Sequence, residues 1–435
     1  MSLYGSMFTA ISGLAAQSSA LSNVANNVAN SQTTGYKRVD TNFNDYVTNS
    51  SYGAAQQVTG QSGTVLARSD YTNTVQGPVT ASDNPLSMAI SGQGFFAVSQ
   101  QNGTTADGAA TFDERSYYTR AGDFSKNKEG YLVNSEGYTL NGWSIDSTTG
   151  AVNQTSLSPI KIDQSIFDPV ASSNINLGAN LPADVDVGTA VSSQAQVYDS
   201  LGSVHTVQMT YTKLAQNSWK LDMSAPGANT TALGSIQLNY ATSPAGTLAS
   251  FSNATGALAG TTGAAGTDAS VSMSVDYGQG AQALTLDLGT FGKSDGLTQF
   301  SGTEYSVRDI RADGMSAGSF SSVSISDAGD VTLNYDNGQS RAIARVPVVT
   351  FSDPDQLQAV DGQAYLRTPQ SGEARASDAS SNGAGSLVTS AVEGSNVDTA
   401  SEFSKLILAQ RAYTSNTKII TSADQMLQDT ISMVR

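Results

Sequence analysis

Apolar side chains recur at steps of four and three from Met7 through Ile11, Leu14, Leu21 and Val28, with Ser18 and Ala25 completing the series and Val24 broadening it. Near the other end Leu406, Tyr413, Ile420, Leu427 and Val434 repeat every seven residues, flanked by Phe403, Ile407, Met426 and Ile431. This spacing belongs to helices that lay one seam against another helix. It predicts a helix over 6–30, about 37 Å long, and a second over 396–433, on the order of 55 Å, at 1.5 Å per residue. Ser395 is the expected N-cap of the second helix, with Asp398 in its first turn. The remaining face of the first helix is Ser, Gln and Asn without a charge. A narrow seam gains little by itself, because most helical stability comes from packing it. The two helices are therefore expected to pair with each other and to pack on copies from other subunits.

Between the ends the pattern changes to alternation punctuated by turns. The stretch 117–142 divides at Asn127–Gly130 and Ser135–Gly137 into short strands. The stretch 194–223 reads as a strand, a turn at Asp199–Gly202, a strand with Val207, Met209 and Tyr211 on one face, and a strand around Trp219. From 321 to 351 three strands are joined at Asp327–Asp330 and at Asp336-Asn337-Gly338, the latter strong hairpin chemistry. The stretches 271–277 and 283–288 alternate as well. Two segments dense in small residues, 225–266 and 370–385, read as loops. The middle is thus short antiparallel strands in sandwiches or barrels.

Composition narrows the chemistry. The chain has 435 residues, enough for roughly two to four domains. It holds 21 basic and 37 acidic residues, a net charge of −16, which argues against nucleic acid and anionic membranes as partners. Charged residues make up 13% of the chain, against about 25% in an ordinary soluble protein. There is no Cys and one His, so thiolate metal sites and Cys nucleophiles are excluded and a triad would have to use His205. His205 follows a tight turn with no G-x-S-x-G nearby and reads as an ordinary strand histidine. Gly292-Lys293-Ser294 is no phosphate loop, since Asp287 occupies the first glycine position. Gly92-Gln93-Gly94 before Phe95-Phe96 is a turn into a buried strand. The acids at Asp327/Asp330, Asp336/Asn337 and Asp353/Asp355 lack the closing Glu of a calcium loop and suit β-turns. No catalytic, cofactor-binding or metal site is expected. No stretch approaches 18 apolar residues, so no membrane insertion is expected, and the first ten residues lack the basic region of a secretory signal.

The most specific strings lie at the termini. Asn23-Val24-Ala25-Asn26-Asn27-Val28-Ala29-Asn30 is followed by Ser31-Gln32-Thr33-Thr34-Gly35-Tyr36-Lys37-Arg38, with Ile11-Ser12-Gly13-Leu14 upstream. Gly35 supplies a left-handed position that turns the chain from helix to extended segment. Glu393-Gly394-Ser395-Asn396-Val397-Asp398, Glu402-Phe403, Gln410-Arg411-Ala412-Tyr413, Asn416, Lys418-Ile419-Ile420 and Asp424 stand at the other end. These two sets resemble the N- and C-terminal motifs of the bacterial flagellar axial proteins, the rod, hook and hook-associated family. Asn26, Asn27, Asn30, Gly35, Tyr36, Asn396, Gln410 and Arg411 are the motif positions. Val392 and Thr399 stand where the resemblance leads one to expect leucines. Gln93-Gly94-Phe95-Phe96, Tyr118 to Phe124 and Gly130-Tyr131-Leu132-Val133 look like the core domain shared by the distal-rod and hook branches. Val197 to His205 through Trp219 looks like an outer domain carried by the hook branch alone, and Asp295 to Phe300 with Asn337-Gly338-Gln339 like the return into the core.

The resemblance implies an α+β, mostly β chain. Long N- and C-terminal helices would pair as a coiled coil, with nested antiparallel β-sandwich or barrel domains between them. It implies an inner helical domain from 1–30 with 396–435, a linking segment from 31–72 with 372–395, a core β-domain from 73–145 with 290–371, and an outer β-domain from 146–289. The self-assembly residues would be Ile11, Leu14, Leu21, Val24, Val28, Phe403, Leu406, Tyr413, Ile420 and Leu427. The expected partners are many copies of itself, other axial proteins (rod, hook cap, hook–filament junction) and the flagellar export apparatus. Export without a cleavable signal and a place on the outside of the cell follow from the same likeness. A distal rod protein should lack the stretch around 146–290. An extracellular adhesin shares the β-rich middle but does not need the helical termini, and a secreted carbohydrate-active enzyme explains the acids but not the helices.

Overall fold

The structure, a computed structural model, describes residues 3–47, 62–105, 110–147 and 149–433. Val434 of the second seam and residues 48–61 of the linking segment lie outside it. Two long helices, α1 (Leu3–Ala29) and α2 (Thr399–Met433), accompany many short strands. Neither helix contains proline or an internal charge reversal that would break it. α2 begins three residues later than its spacing suggests, and Asp398, not Ser395, caps it. The Asp398 carboxylate accepts the amides of Ala400 at 2.9 Å and Ser401 at 3.3 Å. Ser395 instead accepts the Val397 amide, a turn ahead of the helix.

The chain divides into two compact units. The first comprises Met1–Asp163, Ser322–Asn334 and Ser340–Arg435. In it α1 and α2 are antiparallel neighbours: Asn27 bonds Glu402, while Gly13 lies against Asn416, where an added Cβ would come within 2.8 Å of the amide nitrogen. The face of α1 that is buried is made of Ala10, Ala16, Ala20 and Val24. Small side chains there let the partners approach closely. A hairpin of β1 (Val39–Val47) and β2 (Ser62–Tyr71) follows, in register from Val39 opposite Tyr71, and Ser12 of α1 accepts the Val65 amide. β3 (Val79–Ala81) pairs Ala391–Glu393, and β4 (Met88–Ser91) pairs Ser386–Thr389.

At the centre of this unit's twelve-stranded sheet β5 (Phe96–Thr104) lies between Tyr138–Ser144 and Tyr117–Thr119. Strands from the second half of the chain continue the sheet on both sides, Ser340–Arg345 beyond the former and Ala364–Leu366 beyond the latter. The domain is therefore built from two distant stretches of sequence. Phe95, Tyr118, Phe351 and Tyr365 pack edge to face in its core, with centroids 4.8–5.9 Å apart.

The second unit, Gln164–Ser321 with Tyr335–Gln339, has an eleven-stranded sheet and one core. Val207, Met209 and Tyr211 are all fully buried on one face of Val204–Ala215, and Trp219 packs beside them. The unit extends past residue 289 because Ser306–Ala312 pairs antiparallel with Asn174–Asn180. The segment 225–266 is not the loop its composition suggests. It forms the strands Ala232–Thr242 and Ala245–Ser252, whose Leu233, Ile236, Leu238, Tyr240 and Leu248 enter the core. Ser, Thr and Gly on the opposite face dilute that alternation and hide it.

Candidate self-assembly site

The motif residues from the two termini converge on one buried junction in the first unit. In the last turn of α1 the Asn27 carboxamide oxygen accepts the Val39 amide at 3.0 Å and the Tyr36 hydroxyl at 3.1 Å. Its nitrogen donates to the Val39 carbonyl at 2.9 Å and to Glu402 at 3.0 Å. One side chain thus ties the exit of α1, the start of β1 and the first turn of α2. The reversal that makes this possible occurs at Gly35, whose φ is +71°. A Cβ there would also lie 2.5 Å from the Ala121 amide nitrogen, so both backbone and space demand glycine. Burial, and next the Glu402 carboxylate, push the Tyr36 phenol above its ordinary value.

One step further in, the Glu393 carboxylate is fully buried between two cations. Lys37 donates to it at 2.5 Å, Arg120 at 3.1 Å, and the Gly77 amide at 2.8 Å. Arg120 also donates to the carbonyls of Ile90 and Gly92, and Lys37 to that of Val75. Burial lowers the pKa of Lys37 and of Arg120, with Glu393 opposing the shift in each case. Such a cluster holds only while every member is present, since an uncompensated buried charge is strongly destabilising. On the other side Lys405 bridges Asp40 at 2.5 Å and Glu402 at 2.8 Å. Burial alone would lower the Lys405 pKa, but these two carboxylates outweigh it and the net shift is upward. The Asn396 oxygen accepts the Arg38 amide at 2.7 Å and its nitrogen donates to the Val75 carbonyl at 3.1 Å.

Asn27, Gly35, Tyr36 and Asn396 are therefore brought together, while Asn30 bonds back to the Asn26 carbonyl at the end of α1. Asn26, Gln410 and Arg411 face outward. Of the seam residues, Val24 is buried; Leu14, Leu21, Val28, Leu406, Ile420 and Leu427 are half-buried; Ile11, Phe403 and Tyr413 are exposed. Beyond these, Phe8 is 66% exposed, Leu408 65% and Met426 58%, with Ile407 and Ile431 similar. Sequence reasoning met Lys37, Glu393, Glu402 and Arg120 only inside motif strings, gave them no role of their own, and did not mention Lys405 or Asp40. The available signal was that charges are scarce in this chain and that three of these six, Lys37, Glu393 and Glu402, stand inside its terminal motifs.

In the second unit His205 hydrogen-bonds Asp199 at 3.0 Å and stacks on Tyr277 with centroids 3.8 Å apart. Burial works against the Asp199 carboxylate, but its bonds from His205 and from the Ser203 and Leu201 amides hold it below the ordinary range. Asp330 is taken up by Arg345, Asp336 by the Ser319 amide, and Asp353 caps a short 3-10 turn. Among the described residues no group of three His, Asp or Glu is placed to hold a metal ion. No helix among them is long and apolar enough to cross a membrane.

A tied pair of terminal helices with β-units inserted between them is matched along its length by four family models. These are the flagella basal body rod protein (residues 7–37), the flagellar hook protein FlgE/F/G D1 domain (89–180), the flagellar basal body protein FlaE D2 domain (162–315) and the flagellar basal body rod FlgEFG protein C-terminal region (388–433). They define a flagellar rod–hook axial protein. Full-length relatives are flagellar hook proteins FlgE: that of Rhizobium meliloti is 31% identical with 100% of both chains covered, and that of Brucella abortus 29% with 100% of both. The protein of Salmonella typhimurium is 28% identical with 98% of each chain covered. The chain belongs to the flagellar hook protein family, and it is a structural subunit of the hook. Among solved structures it is similar to the Helicobacter pylori hook protein FlgE2, at 14% identity and a TM-score of 0.49, over 71% of this chain and 98% of that one.

Proposed function

We propose that the chain polymerises with many copies of itself into a curved tube that works as a flexible joint, passing motor torque from rod to filament. In this reading the terminal helices form an inner coiled-coil layer around a central export channel. Their assembly residues are Ile11, Leu14, Leu21, Val24, Val28, Phe403, Leu406, Tyr413, Ile420 and Leu427. The linking segment and core domain come next and the second β-unit lies outermost. The exposed apolar side chains of the helices carry the proposal: Phe8, Ile11, Phe403, Ile407 and Leu408 stand in water in a single chain. Burial of apolar surface contributes about 25 cal/mol per Å², so covering them by neighbours favours association. α1 carries no charge, so copies of it can gather without repulsion. Contacts between polar β-units are easier to exchange than large apolar ones, which suits a tube that bends as it turns. Rod, hook cap and hook–filament junction proteins would meet the ends of the tube, outside the cell, after passage through the flagellar export apparatus. Negative-stain imaging of the purified protein under polymerising conditions tests this. Curved tubes are expected, and their loss on deletion of residues 1–30; particles that stay monomeric under every condition overturn it.

A further inference from the structure

Four Asn-Gly pairs occur in the chain, at Asn102, Asn141, Asn337 and Asn382. In such a pair the main-chain nitrogen after the asparagine can attack the side-chain carbonyl carbon, since glycine has no Cβ to hinder the approach. How readily it does so depends on how firmly the fold holds the carboxamide and that nitrogen. Three of the pairs are held. Asn141 is buried in Tyr138–Ser144, its carboxamide donates to the Ser99 hydroxyl at 2.8 Å, and its backbone lies in the ladder opposite Pro159. Asn337 donates to the Ser316 carbonyl at 2.9 Å and accepts the Gln339 amide at 3.0 Å, while the Gly338 amide donates to the Tyr335 carbonyl at 3.2 Å. Asn102 is exposed, but Gly103 after it lies opposite Thr111 in the ladder between Phe96–Thr104 and Ala110–Phe112.

Asn382 differs on each count. It stands in an exposed turn of the first unit, between Arg375–Ser377 and Ser386–Thr389. The Ala384 amide donates to the Ser381 carbonyl at 2.9 Å, closing a turn with φ of +52° at Asn382 and +80° at Gly383. Two left-handed central residues make it a type I′ turn. The amides of Ser380, Ser381, Ala384 and Gly385 are all engaged. Among the described residues nothing bonds the Asn382 carboxamide or the Gly383 amide, and a Cβ built on Gly383 meets nothing within 4 Å. Electrophile and nucleophile are both free, with room for the turn to rotate.

We infer that Asn382 is a site of self-modification. The Gly383 nitrogen bonds to the Asn382 Cγ and gives up its proton, the carboxamide C–N bond breaks, and ammonia leaves as a five-membered imide closes. Water then adds to either imide carbonyl, and the ring opens to aspartate or to isoaspartate. Water is the sole co-reactant. Each event places a new negative charge on the turn that carries Asp378, whose carboxylate is paired with Arg345 at 3.3 Å. The isoaspartate product also lengthens the backbone of the turn that seats the Gly385 amide on the Gln93 carbonyl at 2.7 Å. A subunit that stays in place for long thus gathers charge at this turn while the other three pairs stay intact.

The four pairs fall in four different tryptic peptides, so one digest reads them all. The full-length folded chain is kept in mildly alkaline buffer, sampled over days, digested and mapped by mass, with isoaspartate labelled by an isoaspartyl methyltransferase. The peptide 376–405, which carries Asn382, is expected to gain one mass unit and the label about tenfold faster than the peptides of Asn102, Asn141 and Asn337. In denaturant the four should convert at similar rates, because the advantage lies in the fold and not in the dipeptide. An Asn382 peptide that converts no faster than the other three, or the same ranking in denaturant, overturns the inference. Mass gain without isoaspartate would mean hydrolysis that bypasses the imide, and overturns it as well.

Discussion

Asn27 and Glu393 decide whether the two ends of the chain meet, and each does so with every polar atom occupied or compensated. Glu393→Gln leaves Lys37 and Arg120 buried without a counter-charge. It should lower the stability of the first unit by about 3–5 kcal/mol, read as a shift of the denaturation midpoint followed by Trp143. Asp313 sets a milder, pH-dependent example in the second unit. Burial works against its carboxylate, but the amides of Ser173 and Asn174 and their side chains donate to it and hold it at about 2. A carboxyl held below its unfolded value of about 3.9 adds stability above that value. The contribution is lost as pH falls from about 4 toward 2. Asp313→Asn should lower stability at pH 7 and flatten that part of the acid-unfolding profile followed by Trp219, the variant and wild type converging as pH nears 2. At this scale legibility was uneven. Gly35 announces itself because one residue type fits a left-handed turn after a helix. Glu393 does not, because Lys37 is 356 positions away and Arg120 273.

The helices and hairpins were readable because their signals are local: a seam of period 3.5, a turn such as Asp336-Asn337-Gly338, an alternation such as Val207, Met209 and Tyr211. The start of α2 was misplaced because Ser395 and Asp398 are both good caps and only tertiary contact separates them. Asn396 is held by Tyr36, Arg38 and Val75 and the Ser395 hydroxyl is taken by the Val397 amide, so the helix waits for Asp398. Asp398→Ala should therefore destabilise the first turn of α2 by about 1 kcal/mol, measured by amide exchange of Ala400 and Ser401. The inward face of α1 was also hard to read, since alanines carry little periodic signal even where they make the closest contact. The strands within 225–266 were missed for a related reason: small outward residues mask the apolar positions that fill the core.

For the molecule as a whole, the tightest prediction separates folding from association. Phe403→Ser with Ile407→Ser alters exposed positions, so the unfolding midpoint of the monomer should move by no more than about 0.5 kcal/mol. Sedimentation should nonetheless show the polymer lost or greatly weakened. Low charge, which composition alone marks as unusual, finds its place in α1, a helix of 27 residues without an acidic or basic side chain. α2 is balanced, with three acidic and three basic residues, so the net charge of −16 is borne by the residues between the helices.

The junction at Asn27 and Glu402 has a kinetic meaning as well. Its partners are 375 residues apart, and closing so long a loop comes late, after local strands have formed. A chain still emerging from a ribosome, or from any narrow passage, owns the first helix but not its mate. Until the last stretch arrives, α1 has no α2 to lie against. Completion of the chain thus acts as a clock for the adhesive surface: the subunit becomes able to join its fellows only once it is whole.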